Sequence, residues 1–140
     1  MNIVIPEPSP IFVETGVVIG KQGEVLLWHE PENASGGALP DSRQLWEFFR
    51  DNWPKIWGFA HTHPDGYSRP SWTDITTFAA IEAALDLRFT WWIVTQKLTE
   101  VMWVGKDIHS YSSVTVDDEL EWVESLRRRS VKFQQEKYHG

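Results

Sequence analysis

The chain has 140 residues, the length of a single domain, and it contains no cysteine. Disulfides, thiolate catalysis and cysteine-ligated metals are therefore excluded, so any metal must be held by histidine, aspartate, glutamate or water. The net charge of −7 argues against general nucleic-acid binding, which needs a basic stripe on the surface.

The N-terminal part of the chain predicts an arm followed by a hairpin. Three prolines in residues 1–10 indicate an extended arm, which lacks the basic and apolar regions of a signal peptide. Residues 11–19 are rich in β-branched side chains, Gly23 supplies a turn, and residues 25–28 return as a second strand. No apolar run approaches the roughly 18 residues that span a bilayer, so we expect a cytoplasmic protein without membrane contact.

The middle of the chain predicts two helices separated by a strand. Asp41 or Ser42 can cap a first helix, which must end before Pro54. Residues 56–61 are apolar enough for a buried strand, and residues 71–86 have the spacing of apolar side chains typical of a helix.

The C-terminal part predicts two more strands and a long helix. Strands are expected over residues 89–94 and 101–104. Asp117 or Asp118 opens a helix that continues to about Tyr138, with acidic residues early and basic residues late, as the helix dipole favours. The predicted order, ββαβαββα, is that of an α/β sandwich with a mixed central sheet flanked by helices.

The pattern H-x-H-x7-S-x-x-D near the middle of the chain is formed by His61, His63, Ser71 and Asp74. Side chains two residues apart on a strand lie on the same face, so both imidazoles point the same way. A carboxylate from the following helix can complete a set of three ligands. Catalytic zinc is held by three ligands with one position open, whereas structural zinc is closed by four. The pattern therefore predicts a catalytic metal site.

The last two residues of this pattern have a second interpretation. Ser-x-x-Asp is close to a capping-box signature, in which Ser71 caps the helix and Asp74 is its third residue. The helix dipole stabilises a carboxylate at that position whatever else the carboxylate does. The two interpretations of Asp74 are compatible, because a rigidly held side chain is a good ligand. For Ser71, a catalytic role and capping alone both remain open.

Glu14 is the candidate general base. It lies within an apolar stretch and is followed at Gly16 by a residue that permits close approach. A metal-activated water benefits from a carboxylate that is near the metal without ligating it. The alternative is a carboxylate at an exposed strand edge, and the local sequence does not choose between the two.

These residues together resemble the JAMM (MPN+, JAB1/MPN/Mov34) metalloproteases. The resemblance rests on Glu14-Thr15-Gly16, on the segment GFAHTHP at 58–64, and on Ser71 and Asp74. It extends over about residues 11–104. It implies a cytidine-deaminase-like α/β fold and cleavage of peptide or isopeptide bonds, often after the C-terminal tail of ubiquitin or a ubiquitin-like or sulfur-carrier-like protein.

The resemblance also implies a role for each residue of the pattern. His61, His63 and Asp74 would bind zinc, with a water in the fourth position. Glu14 would act as general base and then as general acid, and Ser71 would stabilise the tetrahedral oxyanion.

The chain departs from the larger members of that family. The helix that usually precedes the catalytic glutamate looks missing or replaced, and we find no large insertions and no additional cysteines for a second zinc site. A compact prokaryotic or phage-type member is therefore expected. The alternatives are a metal-bearing binding or assembly module without turnover, and a zinc hydrolase of a small amide. Intact Glu14 and Ser71 favour the peptidase.

Overall fold

The structure is a computed structural model that describes residues 10–12, 14–30 and 42–133. Its helices are α1 (Ser42–Asn52), α2 (Trp72–Leu85) and α3 (Glu121–Ser130), with a 3₁₀ turn at Trp53–Lys55. Its strands are β1 (Pro10–Phe12), β2 (Gly16–Gly20), β3 (Val25–His29), β4 (Ile56–Thr62), β5 (Thr90–Val94), β6 (Leu98–Trp103), β7 (Tyr111–Val116) and β8 (Val131–Phe133).

Six of these strands form the central sheet, in the order β3-β2-β4-β5-β6-β7. Only β4 and β5 run parallel within it, and all other neighbours are antiparallel. A parallel pair needs a long crossover, which α2 supplies between these two strands. The crossover brings the beginning of α2 to the end of β4, which is where the sequence pattern lies. The remaining strands, β1 and β8, form a separate antiparallel pair.

Apolar side chains cover both faces of the sheet. Successive residues of a strand face opposite sides, so Val18 and Trp91 join one core layer while Val17 and Trp92 join the other. The first layer includes apolar side chains from α1 and α2, namely Leu45, Phe49, Ile75, Phe78 and Ile81. The second includes Trp122, Val123 and Leu126 from α3. The predicted α/β sandwich with a mixed sheet flanked by helices is therefore confirmed.

Most of the predicted elements are confirmed within a few residues. The two middle helices and the strand over 56–61 are present, as are both strands that follow. The hairpin is present as β2 and β3, but the predicted first strand over 11–19 is wrong as one element. Residues 10–12 form β1, which pairs with β8, and Glu14 lies before β2 begins at Gly16. Of the predicted arm over residues 1–10, only Pro10 lies within the described residues, where it begins β1. No helix among the described residues is long and apolar enough to cross a membrane.

The predicted C-terminal helix is wrong at both ends. It begins at Glu121 with Leu120 at the N-cap, so neither Asp117 nor Asp118 caps it. It ends at Ser130 because the backbone then becomes extended and pairs with β1, a partner more than 100 positions earlier in the chain. Residues 134–140, which include the predicted end, lie outside the described residues.

Strand β7 was not predicted at all. Its sequence, YSSVTV, is polar, and none of its side chains is fully buried. Periodicity of apolar residues is the main signal for a strand, and an edge strand exposed on both faces does not carry it. Its place is set by pairing with β6 along its whole length.

Substitution of Gly58 in β4 tests how closely the two parallel strands are packed. A Cβ atom at this position would lie 1.7 Å from the carbonyl oxygen of Thr90 in β5. We expect Gly58→Ala to lower the free energy of unfolding by about 1–3 kcal/mol or more, because backbone must move to admit the methyl group. Denaturant unfolding with a chelator present measures this. The control is Ser113→Ala on exposed β7, expected within about 0.5 kcal/mol of wild type; an unchanged midpoint for Gly58→Ala would contradict the prediction.

Candidate metal centre

Strand β4 delivers the two histidines of the sequence pattern to one place. His61 is the second-last residue of the strand, which ends at Thr62, and His63 is the first residue after the strand. The His61 ring is fully buried, stacked on Phe59 with a centroid separation of 5.8 Å and packed edge-on against Phe78 at 5.4 Å. These aromatic contacts hold the imidazole ring in place. Its Nε2 atom points toward Asp74 at the start of α2.

Helix α2 begins with a complete capping box that fixes Asp74. The Ser71 hydroxyl accepts a hydrogen bond from the Asp74 N–H at 3.1 Å, and the Ser71 N–H donates to Asp74 Oδ2 at 2.8 Å. Asp74 is buried. The capping interpretation of Ser71 and Asp74 is therefore confirmed, and the cap holds the carboxylate facing the two histidines.

The three predicted ligand groups converge. Nε2 of His61 lies 3.0 Å from Asp74 Oδ1, and Nε2 of His63 lies 2.9 Å from Asp74 Oδ2. The two Nε2 atoms are 3.0 Å apart. Donor atoms around a tetrahedral zinc with bonds of 2.0–2.1 Å are about 3.3 Å apart, so this spacing is near that of a metal-bound set.

The hydrogen bond on the far side of His63 tests whether this set suits a cation. His63 Nδ1 lies 2.6 Å from the carbonyl oxygen of Tyr67, which can only accept, so Nδ1 carries a proton. In the neutral ring, Nε2 then presents a lone pair to the carboxylate of Asp74 and to the other imidazole. Lone pairs so arranged repel one another unless a proton or a metal ion lies between them. The residues can therefore hold a metal ion, with the Tyr67 carbonyl orienting a ligand.

Glu14 lies beside this group. Its Oε1 atom is 3.8 Å from His61 Nε2, and the four side chains offer ligand atoms that all lie within 4.8 Å of one another. Glu14 is buried, so the alternative of a carboxylate at an exposed strand edge is wrong. The expectation of close approach at Gly16 is confirmed, because a Cβ atom there would lie 2.3 Å from the Phe59 ring.

The last rung between β2 and β4 holds Glu14 in place. Thr62 donates its N–H to the carbonyl oxygen of Thr15 at 2.9 Å, and the Thr15 N–H donates to the hydroxyl of Thr62 at 3.0 Å. Both threonines are buried. The backbone next to Glu14 is thus tied to the residue between the two histidines. Sequence reasoning missed Thr62 and Tyr67, because neither a hydroxyl nor a carbonyl of this kind has a distinctive pattern.

The two carboxylates have opposite electrostatic environments. Burial raises the pKa of Glu14, and the neighbouring histidines offset this only in part. Burial also acts to raise the pKa of Asp74, but His61, His63 and the Ser71 N–H outweigh it and hold that pKa well below its usual range. Burial by itself would lower the pKa of His63, but the hydrogen bond and charge of Asp74 raise it.

The other histidines of the described chain are not part of the centre. His29 is buried and packs edge-on against Phe59, with its Nδ1 atom 3.1 Å from Gln44 Oε1. His109 lies in the turn before β7 and stacks on the exposed Trp72. His29 is therefore a structural residue of the core, and His109 is a surface residue.

Comparison with known proteins agrees with this geometry. No curated protein sequence is significantly similar to the chain. A family model described as prokaryotic homologs of the JAB domain matches residues 14–106, which is more than half of the chain. The match begins at Glu14 and includes His61, His63, Ser71 and Asp74. The chain therefore belongs to the family of prokaryotic homologs of the JAB domain.

Proposed function

We propose that this protein is a zinc-dependent peptidase or isopeptidase that cleaves after the C-terminal tail of a ubiquitin-like or sulfur-carrier-like protein. One observation carries the proposal. A buried carboxylate with a raised pKa, that of Glu14, lies 3.8 Å from the Nε2 atom of His61, beside three groups spaced to hold one cation. A carboxylate beside the three groups, with a pKa raised by burial, is suited to act as a base on a water activated by the metal.

The donor set favours zinc. His61, His63 and Asp74 supply two imidazole nitrogens and one carboxylate oxygen, a combination that suits zinc and leaves a fourth position open. When bound there, zinc would acidify a water and polarise the carbonyl group to be cleaved.

Glu14 is proposed to move the proton. A general base works best with a pKa near the operating pH, and burial shifts the pKa of Glu14 in that direction. The carboxylate would accept a proton from the attacking water and then deliver it to the leaving amine. Thr62 and Thr15 keep the backbone beside it in register with the histidines.

Ser71 combines its observed capping role with a proposed catalytic one. Its hydroxyl oxygen accepts the hydrogen bond from the Asp74 N–H, and an accepting hydroxyl still has its own proton to donate. The residue is exposed at the start of α2, next to the candidate ligands. A hydrogen bond from this hydroxyl to an oxyanion would be of the kind worth about 2.7–4 kcal/mol in a protease.

The substrate and location follow from the family resemblance and the composition. A protein or peptide tail fits a hydrolytic site built at the end of a strand, where an extended segment can approach. A chain without cysteine suits the reducing cytoplasm, which we propose as its compartment.

Zinc content tests the ligand set. Wild type is expected to bind close to one zinc per chain, and His61→Ala to lose more than about 100-fold in affinity, because a buried ligand is removed while Asp74 stays in place. The control is His109→Ala, which removes an exposed imidazole outside the centre. Measurement is by elemental analysis after dialysis and by competition with a chelator. Full zinc occupancy in His61→Ala would contradict the assignment.

Cleavage tests the role of Glu14. We expect zinc-loaded wild type to cut a panel of ubiquitin-like proteins that carry C-terminal extensions, and Glu14→Gln to be about 10²–10⁴-fold slower with zinc content unchanged. Product formation is followed by mass spectrometry. If Glu14→Gln is fully active, the base is another residue. If zinc is bound but no fusion is cut by wild type, a binding module without turnover is the better description.

Substitution of Thr62 tests whether catalysis depends on the position of Glu14. Thr62→Val keeps the shape of the side chain but removes the acceptor for the Thr15 N–H, so we expect kcat to fall by about 10–100-fold with zinc still bound. Thr62→Ser retains the hydroxyl and should keep most of the activity. Loss of zinc together with activity in Thr62→Val would instead place its effect on the histidines.

A further inference from the structure

A cavity of about 410 Å³ opens beside the candidate metal centre. Its wall comes from the segment after β4, from the β5–β6 turn and from the C-terminal end of α3. His63 belongs to both places, since it lines the cavity and its imidazole is a candidate ligand. A group bound in the cavity would therefore lie next to a residue of the candidate centre. The volume lies near the lower end of the range of ligand sites, about 300–1,000 Å³.

The surface of the cavity is largely apolar. Pro64, Val94 and Val131 contribute to it from three different segments. Among the described residues that line it, the permanently charged side chains are those of Arg127 and Arg128. An apolar wall with a small number of placed polar groups is the usual composition of a site that binds a small group.

The two arginines of the cavity differ in what they already bind. The Arg127 guanidinium donates to the Thr95 carbonyl oxygen at 3.0 Å and pairs with Asp118 at 2.9 Å and Glu124 at 3.3 Å. Its charge is thus neutralised, and it ties α3 to the β5–β6 turn. The Arg128 guanidinium donates a hydrogen bond to the hydroxyl of Ser125 at 3.3 Å, and no carboxylate of the described residues lies within ion-pair distance of it.

Arg129, the next residue, also differs from Arg128 in having a carboxylate partner. Arg129 pairs with Glu30 at 2.9 Å and covers the ring of Trp28 at 4.0 Å. Residues 127–129 are the only run of adjacent basic residues in a chain whose net charge is −7. Within that run, Arg128 is the one guanidinium without a described carboxylate partner, and Arg128 also lines the apolar cavity.

We propose that this cavity is a substrate subsite that binds a carboxylate through Arg128 and an apolar side chain through the adjoining wall. The inference rests on the proposed function, because it treats the cavity as part of a hydrolytic site. The carboxylate can be the C-terminal group of a peptide or an acidic side chain, and the same guanidinium recognises either by paired hydrogen bonds. The subsite would select substrates that carry an acidic group near the bond to be cut.

Binding of matched probes to the zinc-loaded full chain tests this subsite. The first pair, N-acetyl-leucine and N-acetyl-leucinamide, differs only in a terminal carboxylate. The second, N-acetyl-Leu-Glu-amide and N-acetyl-Leu-Gln-amide, differs only in a side-chain carboxylate. We expect the acid of at least one pair to bind about fivefold more tightly than its amide, the effect of one partly exposed ion pair. The pair that discriminates identifies the source of the carboxylate.

Variants locate the effect at Arg128. In Arg128→Gln the preference for the acid should fall to what coordination by zinc alone provides, whereas Arg128→Lys should keep more of the preference. Arg129→Gln is the matched control and should behave as wild type. Coordination of the probe by zinc does not depend on Arg128, so comparison of wild type with Arg128→Gln removes it. Dissociation constants are measured by calorimetry, and NMR shifts of Gln96 and Val131 report occupancy of the cavity.

Two results would overturn the assignment. One is an absence of preference for the acid in both pairs, and the other is a preference that survives unchanged in Arg128→Gln. Either result, obtained with zinc-dependent cleavage intact, rejects the subsite and leaves the proposed function standing. Binding that depends on Arg128 in a protein that cleaves nothing would reject the proposed function alone.

Discussion

The carboxylate of Asp74 is where the sheet, the second helix and the candidate metal centre meet. One of its oxygens accepts the Ser71 N–H and lies 2.9 Å from His63, and the other lies 3.0 Å from His61. The same side chain therefore closes the first turn of α2 and fixes the helix against the end of β4. A buried carboxylate is costly unless it is paired and hydrogen-bonded, and here all of its partners come from the pattern itself. Removing it would leave both a helix end and two imidazoles without their partner.

The parallel pairing of β4 and β5 explains why these groups can meet. Antiparallel neighbours can be joined by a tight turn, but a parallel pair requires a crossover, and α2 is that crossover. Its first residues must begin near the end of β4, where the histidines are. The close contact at Gly58 and the aromatic stack of Phe78 on Trp91, with centroids 4.2 Å apart, then hold sheet and helix together. The site is thus a consequence of how the central strands are connected.

The sequence allowed prediction of the parts of the site that depend on short spacing. The alternation of His61 and His63 and the cap at Ser71 are local, and both are found in the structure. Burial of Glu14 could not be predicted, because it depends on pairing between β2 and β4, whose paired residues are 36 to 45 positions apart. The same holds for the end of α3, which is set by pairing of β8 with β1. Long-range pairing leaves no periodic signal in either segment.

Two buried carboxylates lie side by side in different surroundings, which suit them to the separate roles proposed for them. Asp74 faces two imidazoles and a backbone N–H, which favour its charged form and suit a ligand. For Glu14 the largest influence is burial, which raises its pKa. A raised pKa suits a group that takes up and gives back a proton. Neighbouring acids whose pKa values are pushed in opposite directions are the usual mark of divided labour in an active site. The two hydrogen bonds between Thr15 and Thr62 tie the backbone beside Glu14 to the residue between the histidines, and Glu14 Oε1 lies 3.8 Å from His61 Nε2.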